Sequence, residues 1–182
     1  MKKSCLFLDR DGVINKKIPG AYVTHPSEFV FLPGAQNAIA ALRSYFSRIV
    51  VVTNQQGIGK GLMLESDLKK VHDFMIAGLT EYGGSLDGIY FCPELAGPDN
   101  HCRKPNIGMA LQAFEEFPDI RFKESVIVGD SPSDMEMGYR CGMHTVRIIS
   151  HNEYKSKDFG KFPPHESCAS LEEWASSLKK DL

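Results

Sequence analysis

Two carboxylates two residues apart, Asp9 and Asp11, close a short apolar run, Cys5–Leu8, and Gly12 follows them. A strand that stays buried has no use for such an ending. Carboxylates at the carboxyl edge of a strand, with a glycine turning the chain, stand where open α/β sheets hold their ligands. Side chains at i and i+2 face one small site once the strand has broken into a loop. Such a pair suits a divalent cation, acid–base work or a carboxylate nucleophile. A helix cap or a solvated turn explains Asp-x-Asp-Gly equally well when nothing else is considered.

Other polar residues stand at matching places. Ile49–Val52 runs into Thr53-Asn54-Gln55-Gln56-Gly57, and Ser125–Val128 runs into Gly129-Asp130-Ser131-Pro132-Ser133-Asp134. Arg103-Lys104 precedes Pro105. In a parallel sheet all strand carboxyl ends share one edge, so Asp9, Asp11, Thr53, Asn54 and Asp130 should converge. Carboxylates there would hold a cation, while Thr53, Lys104 and nearby backbone N–H groups would hold phosphate oxygens. Ser131, Pro132 and Asp134 also make a good helix start, so Asp134 has a capping explanation beside a functional one.

The elements that must position these residues follow from periodicity. Strands are expected at Cys5–Leu8, Arg48–Val52, Leu86–Phe91, Ser125–Val128 and Met143–Ile149. A helix follows Pro33-Gly34, with Ala38, Ile39, Leu42, Tyr45 and Phe46 at helical spacing. Further helices are expected over Ser66–Tyr82, from Pro105 onward, after Ser131, and around Leu171, Trp174, Ala175 and Leu178. Strands alternating with helices imply a doubly wound, Rossmann-like α/β fold: a parallel sheet with helices on both faces. The links from Asp11 to Thr53 and from Thr53 to Lys104 are used up by loops, single helices and a strand. We therefore expect one domain over residues 1–182 with no cap domain, its pocket shaped by the loops Lys16–Phe29, Gln55–Leu64 and Glu94–Arg103. Gly57–Gly61 is expected to be a flexible loop.

Bulk properties exclude several classes. With 182 residues, 42% hydrophobic and 24% charged, the chain can bury a substantial core. A formal charge of −2 advertises no basic face for nucleic acid or an anionic membrane. No apolar stretch has the length of a membrane span, and the run after Met1-Lys2-Lys3 is cut off by Asp9, too soon for a signal peptide. Five scattered cysteines do not make a disulfide framework, so a reducing cytoplasm is expected. Nothing marks an obligate protein partner. His25, His72, His144, His151 and His165 lie outside every motif and are assigned to structure or surface, Lys60 to the surface, and Trp174 to packing the last helix on the sheet.

The ordered set, Asp-x-Asp-Gly after the first strand, Thr53 after the second, Lys104 before a helix and Gly129-Asp130 with Asp134 beyond, resembles the haloacid dehalogenase-like hydrolases across Leu6–Asp134. The resemblance implies that Asp9 attacks phosphorus to form a phospho-aspartate. Asp11 would protonate the leaving alcohol and then activate water. Mg2+ would be held by Asp9, the Asp11 backbone carbonyl and Asp130. Thr53 and Lys104 would stabilise the phosphoryl oxygens, and Asp134 would orient Lys104 or a metal-bound water.

Asp9–Asn15, Tyr22-Val23, Thr53–Gly59, Cys92-Pro93 and Cys102-Arg103-Lys104-Pro105 look like one bacterial branch of that superfamily. Its members act on D-glycero-D-manno-heptose 1,7-bisphosphate, releasing the 7-phosphate, or on histidinol phosphate. The likeness implies a small phosphorylated sugar or amino-alcohol substrate touched by Tyr22, Asn54, Gln55, Gln56 and Arg103. Asn15, Tyr22-Val23, Phe29–Gly34 and Gly57–Gly61 favour the heptose group, whereas the short Cys92–Cys102 loop is more like the histidinol group. Many members carry a zinc loop here. The corresponding donors are Cys92, Glu94, His101 and Cys102, but His101 and Cys102 are adjacent and converge poorly on one tetrahedral ion. We expect no zinc, reduced thiols at Cys92 and Cys102, and a loop held by Pro93, Gly97 and Pro98. A polynucleotide 3′-phosphatase is disfavoured by the charge. A phosphoacceptor signalling domain places its aspartate after the third strand and lacks an acid in the position of Asp11.

Overall fold

The side chains of the first strand, β1 (Lys3–Leu8), alternate between two apolar clusters. Leu6 and Leu8 pack with Ile39, Leu42, Met75 and Trp174. Cys5 and Phe7 face the other way, toward Met109, Ala113 and Met137. Burial on both faces is why this strand reads as a continuous apolar run. The computed structural model describes residues 2–97, 100–149, 154 and 156–178; Pro98 and His151 lie outside them.

Five strands join β1: β2 (Phe46–Asn54), β3 (Gly88–Cys92), β4 (Val126–Gly129), β5 (His144–Ile148) and β6 (Glu166–Cys168). They form one sheet in the order β3-β2-β1-β4-β5-β6, with every neighbouring pair parallel. The helices are α1 (Ala35–Leu42), α2 (Glu65–Thr80), α3 (Gly108–Glu116), α4 (Pro132–Cys141) and α5 (Leu171–Ser177). Helices α1, α2 and α5 supply the first cluster, and α3 and α4 the second. The sheet is therefore wound on both faces, as the alternation implied. Among the described residues, the β1–β2 link holds a short 3₁₀ turn and α1, and the β2–β3 link holds α2. Neither carries a cap domain. No helix among the described residues is long and apolar enough to cross a membrane.

The structure corrects several expectations. Tyr45 and Phe46 fit a helical period, yet α1 stops at Leu42, and Phe46 opens β2 opposite Lys3 with its ring 6.2 Å from Trp174. Strand pairing and the aromatic contact outweigh periodicity here. Helix α3 begins at Gly108 rather than Pro105, because the Asn106 N–H bonds to Arg103 O and the Gly108 N–H to His101 O in successive turns. Only glycine fits there: a Cβ at Gly108 would stand 2.4 Å from His101 O. Strand β6, three residues long, was not expected at all. In the Gly57–Gly61 loop the Gly59 N–H donates to Pro93 O at 3.0 Å, a tie to the segment after β3. Finally, Cys92 and Cys102 are not reduced thiols. The turns after Cys92 bring their Cα atoms to 5.5 Å, and the two are joined in a disulfide.

Candidate active site

Strand β1 lies between β2 and β4: the chain runs from β1 out through β2 to β3, then crosses back to β4 and continues to the opposite edge. A crevice opens at such a switch point, outside the strand carboxyl ends. Three adjacent strands deliver side chains to it: Asp9 and Asp11 after β1, Thr53 and Asn54 at the end of β2, and Asp130 after β4. The turn after β1 is built on the Arg10 carbonyl, which accepts from the N–H groups of Val13, Ile14 and Asn15. Gly12 takes φ +96° there, and a Cβ would stand 2.4 Å from Asp130 Oδ2. Glycine thus lets the nucleophile loop lie against the β4 loop. The resulting cavity, about 410 Å³, is lined by Asp9, Asp11, Thr53, Asn54, Arg103, Lys104 and Asp130, with Tyr22 on its wall. That volume suits a small molecule.

Lys104 organises the floor. Its buried ammonium donates to Val52 O at 2.8 Å and forms ion pairs with Asp9 Oδ1 at 2.8 Å and Asp134 Oδ1 at 2.6 Å. Burial alone would lower its pKa, but Asp134 and Asp9 more than reverse this and the net shift is upward. Asp134 spends its other oxygen on the Ser131 N–H (3.0 Å) and hydroxyl (2.6 Å), so it caps α4 and holds Lys104 together. Asn54 braces the same lysine through its backbone, accepting from the Lys104 N–H at 3.0 Å and donating to Lys104 O at 3.2 Å.

The buried Lys104, with the partly exposed Lys17 3.7 Å from Asp130, does not balance three buried acids. Carboxylate oxygens of Asp9, Asp130 and Asp134 lie within 4.8 Å of one another. Burial, with Lys104 opposing and Asp134 adding to it, pushes Asp9 up to about 6. Burial and then the charges of Asp9 and Asp134 push Asp130 up to about 8. Asp130 Oδ1 is buried without a hydrogen-bond partner among the described residues. Surplus negative charge and an orphaned carboxylate oxygen, facing a cavity, fit a hard divalent cation.

Asp11 sits in a different environment. Its carboxylate accepts from Arg10 (2.9–3.3 Å), from Asn15 Nδ2 (2.9 Å) and from Gln55 Nε2 (2.9 Å). Burial would raise its pKa, but the Arg10 charge and these bonds hold it below the usual carboxylate range. Gln55, read from the sequence as a substrate contact, is fully buried and bridges Asp11 to the Thr53 hydroxyl (2.9 Å). Gln56 is half-buried and does not line the cavity, whereas Arg103 and Tyr22 do. Of the four zinc candidates, Cys92, Glu94 and Cys102 converge within 4.8 Å and His101 stays exposed outside the cluster. The four-donor set does not assemble among the described residues.

Sequence reasoning missed Lys17, Ser131, Ser133 and Tyr154, which also line the cavity. Lys17 Nζ is 3.7 Å from Asp130 Oδ2 and 5.5 Å from the Tyr154 ring centroid. The Lys16-Lys17 pair close behind two acids was the available signal, but the length of its loop hides where it lands.

Comparison with known proteins gives a consistent outcome. A family profile described as HAD-hydrolase-like matches residues 101–174. D-glycero-α-D-manno-heptose-1,7-bisphosphate 7-phosphatase of Mycobacterium bovis is 44% identical over 74% of this chain and 71% of its own length. Its counterpart in Campylobacter jejuni is 40% identical over 87% of this chain and 89% of its own. A crystal structure of D,D-heptose 1,7-bisphosphate phosphatase from B. bronchiseptica, complexed with magnesium and phosphate, superposes with a TM-score of 0.89 at 32% identity, covering 100% of both chains. With sequence relatives, fold and strand-end acids in agreement, the chain belongs to the haloacid dehalogenase-like hydrolases and is a phosphatase of that family.

Proposed function

We propose that this phosphatase depends on Mg2+ and removes the 7-phosphate of D-glycero-D-manno-heptose 1,7-bisphosphate by way of a phospho-aspartate. The observation that carries the mechanism is the contrast between two acids two residues apart in one cavity. Asp9 is bonded to Lys104, whereas Asp11 is held apart by Arg10, Asn15 and Gln55. The substrate rests on the names and coverage of the relatives.

In the first step an Asp9 oxygen attacks phosphorus. The bond from phosphorus to the sugar oxygen breaks, and that oxygen takes a proton from Asp11, whose pKa, depressed by Arg10 without substrate, is raised when the phosphate dianion arrives beside it. In the second, Asp11 takes a proton from water, the hydroxide attacks phosphorus, and the Asp9–phosphorus bond breaks to release inorganic phosphate. Lys104 fixes the attacking carboxylate and adds positive charge beside the phosphoryl oxygens, toward which the Thr53 hydroxyl also donates. Asp9, Asp130 and the Asp11 backbone carbonyl would hold Mg2+, whose charge would relieve repulsion between a carboxylate and a phosphate dianion and polarise the phosphoryl group. Tyr22, Asn54 and Arg103 line the remaining cavity and would meet the sugar and its other phosphate.

These groups all lie at one edge of one sheet, which supports catalysis within a single domain. We place the reaction in the cytoplasm, with its small phosphorylated substrate. Turnover of both anomers of heptose 1,7-bisphosphate, side by side with histidinol phosphate in Mg2+, tests the substrate. Preference for one heptose anomer is expected. Preference for histidinol phosphate, or equally poor rates on all three, overturns the assignment.

A further inference from the structure

Arg10 stands between the two acids in the chain, yet its side chain is fully buried. A buried guanidinium is tolerated when its N–H groups find acceptors. Nε and Nη2 are taken by the two oxygens of Asp11, at 2.9–3.3 Å. Nη1 turns to a different element: it lies 3.2 Å from Nε2 of His72, in α2. A guanidinium has no acceptor, so the imidazole accepts at Nε2 and carries its proton on Nδ1. Burial, and then the charge of Arg10, hold the His72 pKa down to about 3, which keeps the ring neutral and able to accept. The ring is steadied in turn by edge contact with Phe91, 6.2 Å between centroids.

We propose that Arg10 and His72 are positioning residues for the proton-transfer step: His72 fixes the rotation of the guanidinium, and its fork fixes the plane of the Asp11 carboxyl. Two parallel N–H bonds define a plane, which a lysine ammonium would not do. Asn15 donates to Oδ1 and Gln55 to Oδ2, one bond each from separate segments, so the Arg10 fork is the one donor group that spans both oxygens. The inference rests on Asp11 being the acid and base of the phosphatase reaction.

A leaving-group series tests it. A misplaced proton donor matters little when the departing oxygen is already acidic and much when it is basic. We would measure kcat/KM on p-nitrophenyl phosphate and on phenyl phosphate in Mg2+. His72→Phe keeps the ring and its Phe91 contact but removes the acceptor, while His72→Gln offers an amide oxygen in its place. His72→Phe should lose about tenfold more on phenyl phosphate than on p-nitrophenyl phosphate, a fraction of the ~10²-fold or more contributed by a positioned proton donor. His72→Gln should recover most of that difference. Because His72 acts through Arg10, adding His72→Phe to Arg10→Met should steepen the series no further.

A uniform loss across the series, no loss, or additive effects in the double variant would overturn the proposal. If His72→Phe lowers the melting temperature, His72→Leu replaces it, and the ratio between the two esters remains the readout. A wild-type protein inactive on both esters would refute the reaction itself. An active wild type with a uniform loss refutes only the positioning role.

Discussion

Replacing Asp130 with asparagine should make the metal-free protein more stable while abolishing its response to Mg2+. Three buried acids share one region, and Lys104 bonds to Asp9 and Asp134. Asp130 meets Lys17 at 3.7 Å and keeps one oxygen without a hydrogen-bond partner. Its pKa is pushed from 3.8 up to about 8 by burial and by Asp9 and Asp134, and burial pushes Asp9 up to about 6. An acid with a higher pKa in the folded than in the unfolded chain binds its proton more tightly when folded. Its contribution is therefore fully present below about pH 4 and is lost as the pH rises toward 8. At 1.36 kcal/mol per pKa unit, the shift sets an upper limit of roughly 5 kcal/mol at pH 8. Allowing for relaxation around the charge, we expect a gain of ~2 kcal/mol in Asp130→Asn, which for a chain of this size raises Tm by about 4–8 °C. Comparing wild type with variant cancels the opposite effect of Asp11, whose depressed pKa contributes stability that is lost as the pH falls below about 4. Saturating Mg2+ reverses the order, adding about 2.7 kcal/mol to wild type at one hundred times Kd and far less to the variant. Scanning calorimetry at pH 5 and pH 8, in EDTA and in Mg2+, reads all four quantities. A variant no more stable than wild type in EDTA at pH 8, with a Mg2+ shift of wild-type size, would refute both the charge argument and the cation site.

Asp9→Asn should lower turnover by at least ~10³-fold in a protein that still folds, since an amide cannot form the covalent intermediate; residual activity near wild type would place the nucleophile elsewhere. Gly12→Ala meets both a φ of +96° and Asp130 Oδ2 at 2.4 Å. It should cost about 1–3 kcal/mol in stability and weaken Mg2+ binding in a titration, and a neutral outcome would show that the loop has room to spare. Thiol titration of the unfolded, unreduced protein should count three free cysteines, rising to five after reduction. Metal analysis of the same sample should find well under one zinc per chain, and near-stoichiometric zinc would overturn the disulfide.

Much of the site was legible because strand ends in a parallel sheet announce themselves: an apolar run that stops at Asp9, Thr53 or Asp130 needs only the sheet order to become a cluster. Direction was not legible. Gln55, two residues after Thr53, is in position to meet substrate by sequence, but Asp11, 44 positions away, turns it inward. Asn54, expected to contact phosphate or sugar hydroxyls, lines the cavity and also braces Lys104, 50 positions on, which the sequence did not announce. His72 falls on the stripe formed by Leu68, Val71, Met75 and Leu79, so spacing alone announces its burial though not its partner. Proline at a first helical position is a sound rule. Pro105 escaped it because the Arg103–Asn106 turn had a prior use for that residue, closing the loop that carries Lys104. β6 is too short for any period to register.

The central place of β1 has a consequence for how the molecule breathes. Its amides and carbonyls are paired on both edges, by β2 and by β4, and both faces lie under helices. Such a strand exchanges its amide hydrogens only when the whole sheet opens, whereas surface loops exchange through local fluctuations. Deuterium should therefore enter Leu6–Leu8 last of all and the Lys16–Phe29 loop early. The nucleophile hangs from the slowest-opening part of the chain, while the walls through which a substrate must pass belong to a faster one.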